Sequence, residues 1–173
     1  MMKYFWGTLV AVFALLSCKS DDDSLQRIDQ ILNIYMKNSA GQDLLNSKKT
    51  GFYTSFSVND MLGSKDISPV SIPLKVTTDS LYYMEYIAGA QRKRLDSISP
   101  DNPGTGTSYV SRMLITFTKT TNNVSVTTLD TLEIQYRNTP TVFQVSKVIY
   151  DGKEAFSKEA DAPNSINVVT ITK

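Results

Sequence analysis

From Phe52 onward the chain is written in a period of two. Phe52, Phe56 and Val58 interleave with Tyr53, Ser55 and Ser57, and Ile72, Leu74 and Val76 with Ser71, Pro73, Lys75 and Thr77. Tyr109, Met113, Ile115 and Phe117 alternate with Val110, Arg112, Leu114 and Thr116. Successive side chains of a strand point to opposite faces, so this alternation predicts half-buried strands and excludes long amphipathic helices. Turn residues separate the runs: residues 120–123, then Asp151-Gly152, a hairpin pair suited to positive φ at both positions. Further strands are expected at Val124 and Val126, at Leu132, Ile134 and Tyr136, over residues 142–150, and over residues 166–172. Residues 81–88 are apolar on both parities, as for a strand covered on both faces. Pro73 cannot donate to a ladder, which puts its strand at a sheet edge. The expectation is an all-β antiparallel β-sandwich, immunoglobulin-like or transthyretin-like, of about eight or nine strands. Without strands alternating with helices, a parallel α/β sheet is not expected.

Two stretches read less directly. Ile28, Ile31, Leu32, Tyr35 and Met36 fit a helix face, while Ile28, Leu32, Ile34 and Met36 fit alternation. We read a strand over residues 30–37, because the turn-rich Asn38, Ser39, Ala40 and Gly41 follow it. Residues 91–108 hold two prolines and two glycines and read as a long loop, a length that is often functional.

The chain has one cysteine, Cys18, and no histidine. Cys18 follows Lys3 and an apolar stretch of about thirteen residues, too short for the roughly twenty a membrane-spanning helix needs. That length suits the apolar region of a secretory leader. Leu15, Leu16, Ser17 and Cys18 resemble the lipobox at which bacterial lipoprotein precursors are acylated and cut. The resemblance implies a leader over residues 1–17 and lipidation of Cys18. A flexible tether would follow to residue 27, then a single domain over residues 28–173. Lys19, Ser20, Asp21, Asp22 and Asp23 resemble the acidic tag that sends Bacteroidota lipoproteins to the outer face of the outer membrane. The plainer reading of this run is a solvated spacer.

Beyond the leader, seventeen basic residues face seventeen acidic ones, a balance that offers no basic field for nucleic acid. The absence of histidine removes the usual general base and the commonest metal ligand, and with them a Ser-His-Asp triad. Cys18, once lipidated, is no nucleophile. Glu85, Glu133, Glu154 and Glu159 could in principle pair for glycosidase chemistry, but nothing in the spacing pairs them. No enzymatic activity and no cofactor are expected.

Three short stretches carry a second resemblance. Asn38, Ser39, Ala40, Gly41, Gln42, Asp43, Leu44, Leu45 and Asn46 form one. Asp130, Thr131, Leu132, Glu133, Ile134, Gln135 and Tyr136 form another, and Tyr150, Asp151, Gly152 and Lys153 the third. They are similar to stretches of small β-sandwich surface lipoproteins of Bacteroidota without assigned function. The resemblance implies fold and location and carries over no catalytic residue.

The candidate binding residues lie mid-chain. Tyr82, Met84 and Tyr86 share one parity, and Tyr82 and Tyr86 could form an aromatic platform for sugar rings. The competing reading is a core strand, or tyrosines with buried rings and wet hydroxyls. Arg92, Lys93 and Arg94 form a compact basic group that could bind an acidic glycan, a phosphate or a partner, against a reading as a solvated turn. Asp96, Asp101 and Asn102 could hold a hard cation but more simply cap a loop. Residues 104–108 lack the Gly-Lys-Ser/Thr of a phosphate loop. The sequence therefore points to a lipid-anchored outer-membrane protein that binds a glycan, host factor or partner protein. The alternative is a structural or assembly subunit of an outer-membrane complex.

Overall fold

The computed structural model describes residues 25–98, 108–160, 162–163 and 165–173. Cys18, the run Lys19, Ser20, Asp21, Asp22 and Asp23, and the loop residues Asp101 and Asn102 lie outside the described residues. The fold is all-β, with two sheets packed face to face over one apolar core. In chain order the strands are β1 (Arg27–Asp29), β2 (Leu32–Lys37), β3 (Ser55–Asp60), β4 (Leu74–Val76), β5 (Tyr82–Tyr86) and β6 (Lys93–Arg94). After a single helical turn, α1 (Leu95–Ile98), come β7 (Ser108–Thr121), β8 (Val124–Asn138), β9 (Val142–Tyr150), β10 (Lys153–Ser157) and β11 (Asn167–Thr172).

The larger sheet is a meander, β7-β8-β9, with short strands in tandem along each side. β6 and β3 share the edge of β7, and β1 and β10 share the edge of β9. Its hairpins turn at Asn122 and Asn123, with φ of 51° and 63°, and at Asp151 and Gly152, with φ of 47° and 75°. Positive φ at both central positions gives a backbone twist that matches the flanking strands. The second sheet runs β11-β2-β5-β4, and β4, directly after Pro73, is an edge strand as expected.

Four features differ from the sequence reading. Eleven strands occur among the described residues instead of eight or nine, because β1, β6 and β10 are only two to five residues long, below the reach of a periodicity argument. Two pairings are parallel, β1 with β9 and β11 with β2, so the sandwich is mixed. Alternation reports which face a residue takes and carries no information on strand direction. Val124, Val126, Leu132, Ile134 and Tyr136 belong to one fifteen-residue strand, β8. Finally, the stretch read as a loop over residues 91–108 contains β6 and α1.

Inward-facing side chains follow the alternation: Leu32, Ile34 and Met36 of β2, Met84 and Tyr86 of β5, and Met113, Ile115 and Phe117 of β7 are all fully buried. The ladder of β8 with β9 slips between Gln135 and Tyr136, where the extra residue on β9 is Ser146. That bulge brings both Val145 and Val148 inward, three residues apart.

The stretch after β2 acts as a plug. The Asn38 carboxamide oxygen accepts from the Ala40 and Gln42 amides at 3.0 and 2.8 Å, and Gly41 supplies a φ of 77°. Buried Asp43 accepts from the Leu45 amide at 2.9 Å and from the Tyr82 amide of β5 at 2.8 Å, so one carboxylate ties the turn to the sheet. Leu44 and Leu45 then enter the core. At the opposite margin Lys158 Nζ lies 2.6 Å from Asp29 Oδ2, with both side chains almost wholly buried, and Asn167 Nδ2 donates to Asp29 Oδ1 at 3.0 Å. This network joins β1, β11 and the segment after β10. Removing one partner would strand a buried charge. Gln26 Nε2 donates to Asn138 Oδ1 and to the Thr139 carbonyl, so the domain's contacts begin two residues before position 28.

Candidate functional site

The outer face of the second sheet follows from the same alternation. With Leu32, Ile34 and Met36 inward, Asn33, Tyr35 and Lys37 point away from the core. On β5, Met84 and Tyr86 are inward, so Tyr83 and Glu85 are outward. The antiparallel register, Leu32 with Tyr86, Asn33 with Glu85 and Ile34 with Met84, brings Tyr35 beside Tyr83. Their ring centroids are 5.3 Å apart and their planes are tilted by 30°.

Neighbouring strands complete the face. β11 places Thr170 beside Tyr35, Val168 beside Asn33 and Thr172 beside Lys37. β4 places Lys75 beside Tyr83, and Lys75 Nζ lies 4.0 Å from Glu85 Oε2. The result is a strip with two partly exposed phenol rings at its centre and an amide, an acid, amines and hydroxyls around them. Asn33 is 9% exposed, and its Oδ1 accepts no hydrogen bond among the described residues. Burial, and then the neighbouring Tyr83, hold the Tyr35 phenol above its ordinary value, so it stays a neutral donor through physiological pH. Aromatic faces attract the polarised C–H edges of a ligand, and a few polar groups around them fix its orientation.

The residues singled out from sequence are distributed differently. Tyr86 is fully buried and Tyr82 is half-buried, packed against the core. The proposed Tyr82–Tyr86 platform therefore faces the wrong way, because both residues share the parity of Met84. Residues 81–88 are likewise not covered on both faces: Tyr83 and Glu85 are partly exposed and Ile87 is 45% exposed. The basic triplet is split. Arg92 lies over the rings of Tyr136 and Phe143, 4.8 Å from each centroid, and donates to Gln30 Oε1 at 2.8 Å. Arg94 forks onto Asp96 at 3.1 and 2.6 Å, which also gives Asp96 a cation partner. Lys93 is exposed on β6.

A signal for the outward pair was present. Glu85 is the only charged residue in residues 81–88. A lone charge in an apolar strand marks the solvent face, and Tyr83 shares its parity. Tyr35 sits between the apolar pair Ile34 and Met36 in the same way.

A second polar cluster lies beside a cleft of about 390 Å³ between β10 and β11. The Tyr150 hydroxyl donates to Asp130 Oδ2, while Lys173 Nζ sits 2.7 Å from Asp130 Oδ1 and 3.3 Å from Asp151 Oδ2. The charges here are spent on one another, so the cluster reads as a clamp that holds the end of β11 to the larger sheet. Among the described residues, no group of three or more acidic, cysteine or histidine side chains could hold a metal ion. In the tyrosine strip the one charged pair, Lys75 with Glu85, is long and partly exposed, and the two phenol rings lie on the outer face of the sheet. No family model matches the chain, and no characterised protein or solved structure is significantly similar to it.

Proposed function

We propose that this protein is a lipid-anchored outer-membrane binding module, without enzymatic activity, whose Tyr35–Tyr83 strip takes carbohydrate rings. The observation that carries this reading is the tyrosine pair at the centre of an open, polar-edged sheet face. An outer sheet face suits an extended glycan better than a small compact ligand, which concave pockets favour. Val168 and Thr170 widen the footing, and Glu85 and Lys75 offer hydrogen bonds to ring hydroxyls. Attachment through Cys18, with residues 19–23 as the outward-facing tag, would present this face to polymers outside the cell.

The test is a glycan array with the purified chain, followed by calorimetry on any hit. Binding should be lost in Tyr83→Ala and Tyr35→Ala. An array without hits, or a hit whose affinity ignores both substitutions, removes the reading. The anchor is tested separately. Cys18→Ala should move the protein out of the membrane fraction or leave it uncut, and a variant that stays membrane-bound and correctly processed would refute the anchor.

A further inference from the structure

The β7–β8 hairpin outruns its neighbours. β9 pairs with β8 only from Leu132 onward, and the ladder of β3 on β7 ends at Thr118. Residues 124–129 of β8 are consequently exposed on both faces, with Val124, Val126 and Leu129 each more than half exposed.

One contact gives the direction of the free backbone groups. The Asp151 amide donates to the Thr131 carbonyl at 3.0 Å, and the Thr131 amide donates to the Asp151 carboxylate at 2.7 Å. Both polar groups of Thr131 therefore point away from β7. Alternate residues of an antiparallel strand point the same way, so Ser125, Thr127 and Leu129 aim their amides and carbonyls at the same open edge.

Natural sheets blunt such edges with lysine, proline, bulges or a covering segment. Two of the other edges carry such devices. β4 follows Pro73 and bears Lys75. β3 is covered by the next segment, through Asp60 N–H to the Ser68 carbonyl and Val70 N–H to the Val58 carbonyl. Among the described residues the β8 edge has none of them. Residues 120–129 include no charged side chain and no proline, and the β7–β8 register runs without a bulge.

We propose that a second copy of this chain occupies this edge, with two β8 strands pairing antiparallel about a two-fold axis at Thr127. In that register Thr127 meets its own copy, Ser125 faces Leu129, Val126 faces Thr128 and Val124 faces Asp130. It uses the whole open edge, because the next residue, Thr131, is already engaged by Asp151. No like charges oppose one another, and Asp130, the one carboxylate of the ladder, meets a valine. Pairing makes the contact isologous and closed, as a two-fold dimer requires. It also joins the valines of both arms, which share the core-facing side of Phe117, into one apolar strip. This inference goes beyond the carbohydrate reading and does not depend on it.

The test is sedimentation equilibrium of the full chain in mild detergent, expected to show a reversible monomer–dimer equilibrium. Thr127→Pro removes an amide that points at the open edge, so the β7 ladder keeps its bonds while the dimer dissociation constant rises by at least about tenfold. Thr127→Lys sets two like charges on the axis and should weaken the dimer similarly, which covers the case of a misfolded proline variant. A chain that stays monomeric at every concentration overturns the proposal. So does a dimer whose affinity neither substitution changes, and so does capture of a foreign strand without self-association.

Discussion

The two faces of the four-stranded sheet are built from the same residue types and serve opposite ends. β5 carries Tyr82, Tyr83, Met84, Glu85 and Tyr86 in succession. Tyr86 is sealed in the core, while Tyr83, three positions earlier, stands on the outer face against Tyr35. A tyrosine's role here is decided by parity alone, since a shift of one position exchanges the faces. The inner face contributes stability, and the outer face is where the proposed carbohydrate binding would occur at little cost to the fold.

That contrast can be broken most forcefully at Tyr86. Tyr86→Ala should cost about 3–5 kcal/mol, read by urea unfolding, because it removes a fully buried ring from a packed core. A loss below about 1 kcal/mol would mean the inner face is not the core it is taken to be.

The next largest effect is on alkaline stability. Burial, and then Asp130, raise the Tyr150 phenol far above its ordinary 10.0. Burial works against the Lys173 ammonium, but Asp130 and Asp151 outweigh it and raise that group above 10.5. Both groups thus hold their protons more tightly in the folded chain. Their stabilisation is complete below about pH 10 and is lost as pH rises beyond it, since the unfolded chain then releases protons the fold retains. The thermal midpoint should be flat up to that point and fall above it, and Tyr150→Phe should soften the fall. A midpoint that stays flat through the alkaline range would contradict the clamp.

Tyr83→Ala should do the reverse of Tyr86→Ala. It should abolish glycan binding in calorimetry and cost the fold about 1 kcal/mol or less, as a half-buried outer residue. Destabilisation as large as that of Tyr86→Ala would erase the distinction between the faces. The smallest effect is expected at Glu85→Gln. Its ion pair with Lys75 is long and partly exposed, so stability should move by about 0–1 kcal/mol, read by the same urea unfolding. A larger change would show that the outer face contributes to the fold.

Much of the fold was legible because alternation survives in a single sequence. The strands expected over residues 30–37, 52–58, 142–150 and 166–172 correspond to β2, β3, β9 and β11, and the edge position after Pro73 and the Asp151-Gly152 turn also follow from local chemistry. The short strands β1 and β6 were not legible, since two or three residues cannot display a period. The candidate site was half legible. Residues 81–88 were identified as the aromatic strand, but the choice of face went to Tyr82 and Tyr86, where Glu85 argued for Tyr83. Its partner Tyr35 is 48 positions away in the chain, and no local pattern joins them.

By itself the sequence determined that this chain builds a β-sandwich without disulfides, carries no histidine chemistry and turns within residues 120–123 and at Asp151-Gly152. Those properties depend on residue type and on neighbours one or two positions apart. Tertiary structure alone decided that the first and last strands pair in parallel with β9 and β2. It also decided that Tyr35 meets Tyr83, that Arg92 is drawn over Tyr136 and Phe143, and that β8 runs past its neighbours to leave an open edge. Each of these depends on which distant strands share a ladder and in what register, a choice made by the collective burial of both sheets.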